Sequence, residues 1–378
     1  MKNKNFLSML LIISLTIVLS ATQLLAVDKD ASFNVQKGDI LTVNIKQGNI
    51  MVSTSDKNEV IVYATNIDQD EVSLLTMEQK PGKVEIKFEG EDSDNFKIEL
   101  TLPSDLDLDF NTGGGNITVN NDLKSKVSFN TGGGNITTKN IFGTIDIATG
   151  GGNIKIQNID GDADVTTAGG DINVGNVNGK ADISTAGGNI KVESVNNTAD
   201  ISTAGGNINV GNIDGNADVA TAGGNVTVGT VSGTADISTA GGNIDLSGAT
   251  GKVEANSGGG NINLKNIKGS IEANTGAGNI SAELIPDGKN NSELNAGVGD
   301  IILYVPEYSK ATIIATTSDF KWKDSEKGSD SIKSEFESSN VSQNRKGNKF
   351  ESVYKLNGGG SEIELNVGMG DINIKKLK

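Results

Sequence analysis

Polar and apolar residues alternate in short segments along most of the chain. In the unit from 181 to 198, Ala181 and Ile183 are separated by one polar residue, and so are Ile190 and Val192. A period of two is typical of a β-strand that buries one side. The pattern therefore predicts an all-β protein.

The alternating segments recur at a fixed interval. A Gly-Gly-Asn or Gly-Gly-Asp motif, which becomes Gly-Ala-Gly-Asn in its last copy, returns first after 19 residues and then eight times after 18 residues. This phase predicts stacked repeat units that share one continuous core. The polar residues of the motif are Asn116, Asn135, Asn153, Asp171, Asn189, Asn207, Asn225, Asn243, Asn261 and Asn279.

Three apolar positions in each repeat form columns when the repeats are aligned. The first column is Ile147, Val165, Ile183, Ile201, Val219 and Ile237. The second column is Ile154, Ile172, Ile190, Ile208, Val226, Ile244, Ile262 and Ile280. The third column is Ile159, Val177, Val195, Ile213, Val231, Ala249, Ile267 and Ile285.

Stacked columns of this kind predict a parallel β-solenoid with 18-residue coils, in which neighbouring strands lie about 4.8 Å apart. The crossover rule favours a right-handed winding. The apolar points are spaced by 7, 5 and 6 residues, which is close to a hexapeptide pattern, so a left-handed helix stays open. Each Gly-Gly pair is expected at a turn, where glycine permits positive φ and close backbone stacking.

Departures from the repeat divide the chain. Residues 1–26 have the order of an export signal that is removed: two lysines, an apolar run and small residues up to Ala26. We predict a β cap over 27–110, the regular solenoid over 111–285, and a C-terminal cap over 286–378. The C-terminal cap contains a polar excursion, 318–351, and a final coil. Localisation is expected to be secreted or at the cell surface, without a transmembrane segment in the mature chain.

Composition narrows the chemistry. The chain has neither cysteine nor histidine, which excludes disulfides, thiolate sites and histidine-based acid–base catalysis. Its formal net charge of −16 makes nucleic acid and anionic membranes improbable partners. Aromatics are few, and Phe142 is one of very few in the regular tract. An enzyme that cleaves polysaccharides needs one distinctive cleft, and no repeat is singled out, so it is the weaker alternative.

A row of carboxylates is the most specific chemical feature. If the coils stack in register, neighbouring carboxylates lie about 5 Å apart and repel each other by roughly 1 kcal/mol in water. The row is predicted either to bind a cation such as Ca²⁺ or a cationic polymer, or to splay into solvent beside lysines such as Lys180 and Lys252. No other cofactor is expected. The residues are Asp146, Asp164, Asp182, Asp200, Asp218, Asp236, Glu254 and Glu272.

Two further polar columns have structural explanations. The asparagines of the Gly-Gly-Asn motif are predicted to form a ladder in which each amide donates to the next. A column of threonines that includes Thr185 and Thr203 also suggests an ice-binding face, although a second adjacent threonine column is missing.

The least repetitive segment is the polar stretch around Trp322, Lys323, Asp324, Phe336 and Arg345. Such an excursion from a scaffold either contacts a partner or covers the C-terminal strand edge.

Several segments together resemble a family of bacterial exported proteins. They are FNVQKGDILTVNIKQGNIMVST, FKIELTLPSDLDLDFNTGGGNITV, the TAGGNI units, GDIILYVP and GMGDINI. These motifs are similar to the putative-adhesin family of unknown function with Gly-Asp/Asn-Ile repeats, which is related to the autotransporter adhesin head domain. The resemblance implies a single-stranded parallel β-solenoid on an exported or surface-associated protein, and it carries over no catalytic residues.

We therefore expect a non-catalytic adhesin-like or scaffold protein that presents a regular acidic surface to an extracellular or envelope partner, either protein or glycan. The alternative is a cation- or glycan-binding accessory protein of the cell envelope.

Overall fold

A computed structural model describes residues 26–91, 95–318, 331–336, 341–346 and 349–378, and it includes the side chains of all of these except 341–346. The predicted export signal lies outside the described residues except for Ala26. Thirty-five strands and one short 3₁₀ turn, Val72–Leu74, make up the described structure.

The N-terminal strands are β1 (Val27–Asn34), β2 (Ile40–Ile45), β3 (Asn49–Ser55), β4 (Glu59–Ile67), β5 (Leu75–Lys80), β6 (Lys83–Phe88), β7 (Lys97–Pro103) and β8 (Asp107–Thr112).

The central strands are β9 (Ile117–Val119), β10 (Val127–Thr131), β11 (Ile136–Thr138), β12 (Ile145–Thr149), β13 (Ile154–Ile156), β14 (Ala163–Thr167), β15 (Ile172–Val177), β16 (Ala181–Thr185), β17 (Ile190–Val195), β18 (Ala199–Thr203), β19 (Ile208–Ile213), β20 (Ala217–Thr221), β21 (Val226–Val231), β22 (Ala235–Thr239), β23 (Ile244–Ala249), β24 (Val253–Ser257), β25 (Ile262–Gly269), β26 (Ile271–Ala277) and β27 (Ile280–Pro286).

The C-terminal strands are β28 (Ser292–Val298), β29 (Ile301–Pro306), β30 (Ala311–Ser318), β31 (Ile332–Ser334), β32 (Val341–Lys346), β33 (Lys349–Leu356), β34 (Ser361–Met369) and β35 (Ile372–Leu377).

These strands form two large sheets. The first sheet has 17 strands, and its central members are the odd-numbered strands from β9 to β29. The second sheet contains the other strands, with the even-numbered strands from β8 to β28 at its centre. Each repeat therefore contributes one strand to each sheet, and the chain passes from one sheet to the other at every turn.

The predicted fold class is wrong. A single-stranded, wholly parallel solenoid with irregular caps does not describe two sheets whose ends contain antiparallel pairs, such as β1 with β4, β5 with β6 and β30 with β33. The physical reason is that the three apolar points of a repeat lie on two separate strands, which face each other across the core. At both ends, hairpins reverse the chain and cover the last parallel strand, which would otherwise expose a pairing edge.

The central strands pair in parallel and in register. Ala181 lies opposite Ala199 and Ile183 opposite Ile201, so paired residues are 18 positions apart. The register changes once within these repeats, where Ile267 pairs with Leu284. Ile285 therefore does not continue the third column as predicted, because Leu284 is the buried residue there.

One continuous hydrophobic core runs between the sheets from Val35 to Ile374. In the central repeats it consists mainly of isoleucine, valine and alanine, with a few leucines such as Leu246 and Leu264. The N-terminal end is filled by larger side chains: the Phe110 and Phe129 rings stack with centroids 5.1 Å apart. The aliphatic columns were therefore predictable from the sequence, whereas the wider aromatic core at one end was not.

Candidate functional site: the acidic row

The eight predicted carboxylates lie in one line on the outer face of the second sheet. Asp182 is the register partner of both Asp164 and Asp200, and Glu254 is the partner of both Asp236 and Glu272. The flanking residues Ala181 and Ile183 point inward and are buried. This alternation fixes the carboxylates on the solvent side of every strand. We call this line the acidic row.

The acidic row is longer than the sequence suggested. Glu272 pairs with Glu293, and Glu293 pairs with Glu364, which adds two carboxylates at the C-terminal end. Insertions break the 18-residue phase there, so counting could not find them. The tripeptide Glu-Leu-Asn, which occurs at both 293–295 and 364–366, is the sequence signal that could have identified these two carboxylates.

Partial burial, and after it repulsion along the row, raises the pKa of some of these carboxyl groups. Partial burial, and then the charges of Asp182 and Asp146, raise the pKa of Asp164. Burial and the neighbouring Asp200 raise the pKa of Asp218 in the same way. The two causes act in the same direction, because burial and a like charge both disfavour the ionised form.

Only one of the two proposed lysines offsets this charge. Lys252 Nζ lies 2.8 Å from Glu272 Oε2 and 3.6 Å from Glu254 Oε2. Lys180 makes no ion pair with the row in the part of the chain that the structure describes. Its backbone N–H instead donates to Asp162 Oδ1 at 2.8 Å. The central carboxylates, from Asp164 to Asp218, therefore carry the least compensated charge.

A shallow open groove of about 590 Å³ follows the central part of the row. Small buried alanines at the strand starts, such as Ala181 and Ala199, leave room along its length. The groove gives the carboxylates a continuous concave setting, with space for an elongated partner.

The described residues contain no group of three or more acidic side chains arranged to hold a metal ion. Stacking places the carboxylates one after another along a line, so three of them do not converge on one point. The predicted cation row, Asp146 to Glu272, stays a prediction, because no bound ion tests it.

The motif asparagines form the predicted ladder on some rungs: Asn135 Nδ2 donates to Asn116 Oδ1 at 3.2 Å, and Asn207 Nδ2 donates to Asn189 Oδ1 at 3.2 Å. The bond that recurs on every rung was not predicted. Each side-chain Oδ1 accepts a hydrogen bond from the backbone N–H of the next motif residue, as in Asn207 N to Asn189 Oδ1 at 2.9 Å and Asn225 N to Asn207 Oδ1 at 2.8 Å. Only an acceptor is needed, so aspartate serves equally: Asn189 N donates to Asp171 Oδ1 at 2.7 Å. We call this the asparagine ladder, and its members are Asn49, Asn116, Asn135, Asn153, Asp171, Asn189, Asn207, Asn225, Asn243, Asn261, Asn279, Asp300 and Asp371.

The threonine column is inside the turn, so the ice-binding alternative is wrong. Thr203 is 6% exposed. Its hydroxyl donates to the Gly188 carbonyl of the preceding repeat at 2.9 Å and accepts from Gly206 N–H at 3.3 Å. Each threonine thus joins one Gly-Gly turn to the turn before it.

The glycines of these turns are required for close approach and not for positive φ. Every glycine with positive φ in the described chain lies outside residues 83–287. At Gly188 a Cβ atom would overlap the Gly170 carbonyl, whereas at Gly187 it would lie 3.4 Å from the nearest atom, the Gly169 carbonyl oxygen. The positive-φ part of the prediction is wrong for the repeats, and the close-stacking part agrees with this geometry.

The predicted polar excursion is described only in part. Trp322, Lys323 and Asp324 lie outside the described residues, and so does the side chain of Arg345. Phe336 is half-buried against the core, and Lys376 Nζ lies 5.8 Å from the centre of its ring. The structure therefore does not test a binding role for this segment.

No helix in the described ranges is long and apolar enough to cross a bilayer.

Comparison with solved structures finds matches at low sequence identity. A putative cell adhesion protein from Clostridium sporogenes is 11% identical, with a TM-score of 0.17, over 93% of this chain and 100% of the other. A putative adhesin from Bacteroides fragilis is 13% identical, with a TM-score of 0.20, over 93% and 97%. A putative lipid binding protein from Parabacteroides distasonis is 14% identical, with a TM-score of 0.23, over the same shares. No curated protein matches the chain.

The family model described as Toastrack DUF4097 matches residues 25–228 and again 182–312. The two matches overlap and together span well over half of the 378 residues. They confirm the family resemblance seen in the Gly-Asn-Ile motifs. The chain belongs to the Toastrack DUF4097 family.

Proposed function

We propose that this protein is an exported, non-catalytic adhesin-like or scaffold protein that presents its acidic row to an extracellular partner. One observation carries the proposal: carboxylates occupy the same outward position on successive strands from Asp146 to Glu364, without interruption. An exposed line of one charge is costly to fold, and a cationic partner repays that cost by neutralising it.

The regularity of the row supports a binding role over a catalytic one. Paired catalytic carboxylates need environments that separate their pKa values, so that one acts as an acid and the other as a base. Asp164 and Asp218 each lie between two other aspartates of the row, and the pKa of both is raised. Equivalent sites along a line suit a repetitive or elongated partner.

The chemistry of the row identifies the class of partner. A groove flanked by uncompensated carboxylates attracts cationic groups and repels anionic ones. The proposed partner is therefore a basic protein segment or an amine-bearing envelope polymer. Salt weakens such contacts because exposed charges are screened.

Binding of residues 27–378 to the envelope fraction of the producing cells tests this proposal. The variant D182N/D200N/D218N removes three central charges without changing side-chain shape. The control D171N/D214N/D245N removes the same charge away from the row. We expect the row variant to lose at least tenfold in binding and the control to lose less than twofold.

Salt provides a second readout in the same assay. Wild-type binding should fall steeply between 50 and 300 mM NaCl, while the residual binding of the row variant changes little. Equal losses in the two triple variants would indicate a general charge effect and would contradict the assignment of the acidic row.

The second candidate is a cation-binding accessory protein, favoured by the raised pKa of Asp236, whose burial and whose neighbours Glu254 and Asp218 disfavour the charged form. A Ca²⁺ ion between neighbouring carboxylates would relieve the same repulsion. The test is the melting temperature in 5 mM calcium and in chelator: a drop in chelator supports the cation row, and an unchanged value contradicts it.

A further inference from the structure

A second groove lies at one corner of the repeats, where the strands of the first sheet become longer from one repeat to the next. Strands β11 and β13 have three residues each, whereas β15 and its successors have six or more. At this corner Ile141 and Ile159 join neighbouring repeats only by isolated bridges. The shorter strands leave an open groove of about 470 Å³.

Phe142 lines this groove with its side chain 47% exposed. The other phenylalanine of the regular tract, Phe129, is fully buried and stacks on Phe110. In the repeats that follow, the position of Phe142 is taken by Asp160, Asn178 and Asn196. The groove therefore combines one exposed aromatic face with polar side chains on the next three rungs.

Those polar side chains are already ordered by one another. Asn178 Nδ2 donates to Asp160 Oδ1 at 3.0 Å, and Asn196 Nδ2 donates to Asn178 Oδ1 at 2.8 Å. Each of these amides uses one of its two N–H groups in this series of hydrogen bonds, so the second N–H is left for another acceptor.

A second amide chain runs along the other wall of the groove. Asn158 Nδ2 donates to Asn140 Oδ1 at 2.8 Å, and Asn176 Nδ2 donates to Asn158 Oδ1 at 2.9 Å. A Cβ at Gly175 would overlap the Gln157 carbonyl and would lie 2.7 Å from Asn158 Oδ1, so glycine is needed there for the close stacking of the two repeats. Two preordered lines of amides thus flank the groove at a spacing of about 4.8 Å per rung.

We propose that this groove is a binding site for a neutral saccharide chain, with Phe142 as the platform for one sugar ring. An aromatic face packs against the apolar face of a sugar, and fixed amides supply donors and acceptors for its hydroxyl groups. Asp160 adds an acceptor and disfavours anionic saccharides. The site is separate from the acidic row and does not depend on the proposed function.

Affinity electrophoresis of residues 27–378 in gels that contain soluble neutral polysaccharides (dextran, yeast mannan, mixed-linkage β-glucan) tests the site, with alginate as the anionic comparison. We expect retardation by at least one neutral polymer and none by alginate. F142A should weaken binding about tenfold or more, and N178A should weaken it severalfold. F142W should bind at least as well as wild type.

The control Y308A removes a side chain that is 75% exposed on the C-terminal turn, and its retardation should equal that of wild type. D182N/D200N/D218N should also be retarded normally, which separates this site from the acidic row. Because Phe142 is half-exposed, F142A should melt within a few degrees of wild type. Three results would overturn the proposal: no retardation by any neutral polymer, equal retardation of F142A and wild type, or retardation by alginate alone.

Discussion

The asparagine ladder and the acidic row recur with the same 18-residue period and stack with the same spacing, yet stacking affects their energies in opposite ways. In the ladder, Asn189 Oδ1 accepts the backbone N–H of Asn207, so every added rung satisfies a donor. In the row, Asp182 faces Asp164 and Asp200, so every added rung adds a repulsion. A repeat fixes position, and the side chain at that position decides whether stacking stabilises.

This contrast separates structural from functional columns. Residues of the asparagine ladder have a partner within the protein, and so do the buried threonines such as Thr203. The central carboxylates of the acidic row have neighbours of their own sign, and the binding proposed above would supply the opposite charge from outside the protein. The retention of charge where asparagine or serine would fit is the physical argument for binding at the row.

The largest expected effect concerns the close spacing of successive repeats, on which the asparagine ladder and the acidic row both depend. In G188A the new Cβ overlaps the Gly170 carbonyl, so the two repeats must separate. We expect the free energy of unfolding in urea to fall by about 3 kcal/mol. G187A places its Cβ at an ordinary distance and should cost less than about 1 kcal/mol. Equal losses would contradict the stacking of these turns.

The next effect concerns the buried hydroxyl that connects successive turns. T203V removes a donor to the Gly188 carbonyl and an acceptor for Gly206 N–H, and should cost about 2 kcal/mol in urea unfolding. T203S keeps both bonds and should cost much less, as Ser257 makes the same pair of contacts in its own repeat. A T203S variant as unstable as T203V would show that the methyl group matters and not the hydroxyl.

A smaller loss is expected within the asparagine ladder. N207A leaves the Asn225 backbone N–H without its side-chain acceptor and should cost about 1 kcal/mol. N207D keeps the acceptor and should lie closer to wild type, as Asp171 does in its natural position. If N207D is the less stable of the two, the ladder needs amide donors, as the sequence first suggested.

The smallest expected effect is a gain in stability instead of a loss, and it depends on pH. The pKa values of Asp164, Asp218 and Asp236 are raised in the folded protein, so it holds more protons than the unfolded chain between their ordinary and raised values. Their contribution to the free energy of unfolding is favourable to the folded state below the ordinary pKa, and it is lost as the pH rises through the raised pKa. D164N/D218N/D236N should therefore melt higher than wild type at pH 7, and the difference should shrink towards pH 4.

Glu85 provides the contrast within the same sheet. Hydrogen bonding from Lys80 lowers its pKa to about 2, and its contribution is lost as the pH falls. This contribution is common to wild type and the triple variant and cancels in their difference. A difference in melting temperature that does not change between pH 7 and pH 4 would contradict the repulsion in the acidic row.

The sequence predicted the columns better than it predicted the sheets. Period-2 alternation identified Ile183 and Ile190 as buried and Asp182 as exposed, because side-chain direction along a strand follows from the alternation itself. It did not show that Ile183 and Ile190 lie in different sheets. Nor did it show the antiparallel ends, because hairpin pairing depends on which edge is left open after the repeats have stacked.

The candidate site was predictable where the spacing is constant and not where it changes. Asp146 to Glu272 follow the 18-residue phase, whereas Glu293 and Glu364 follow after 21 and 71 more residues. The first gap contains the turn in which Asp287 Oδ1 accepts Lys289 N–H at 2.8 Å. Insertions at turns leave the stacking of strands intact, so counting residues fails there although the geometry continues.

The central claim is that equivalent side chains lie directly above one another, one rung of about 4.8 Å per repeat. The chain has no cysteine, so spin labels can be attached selectively to pairs such as Asp146→Cys with Asp218→Cys, Asp236→Cys, Glu254→Cys or Glu272→Cys. Pulsed electron resonance should give narrow distances that increase by about 4.8 Å per repeat, from about 19 Å over four rungs to about 34 Å over seven. Distances that do not grow by a constant step, or broad distributions over the same pairs, would contradict the account.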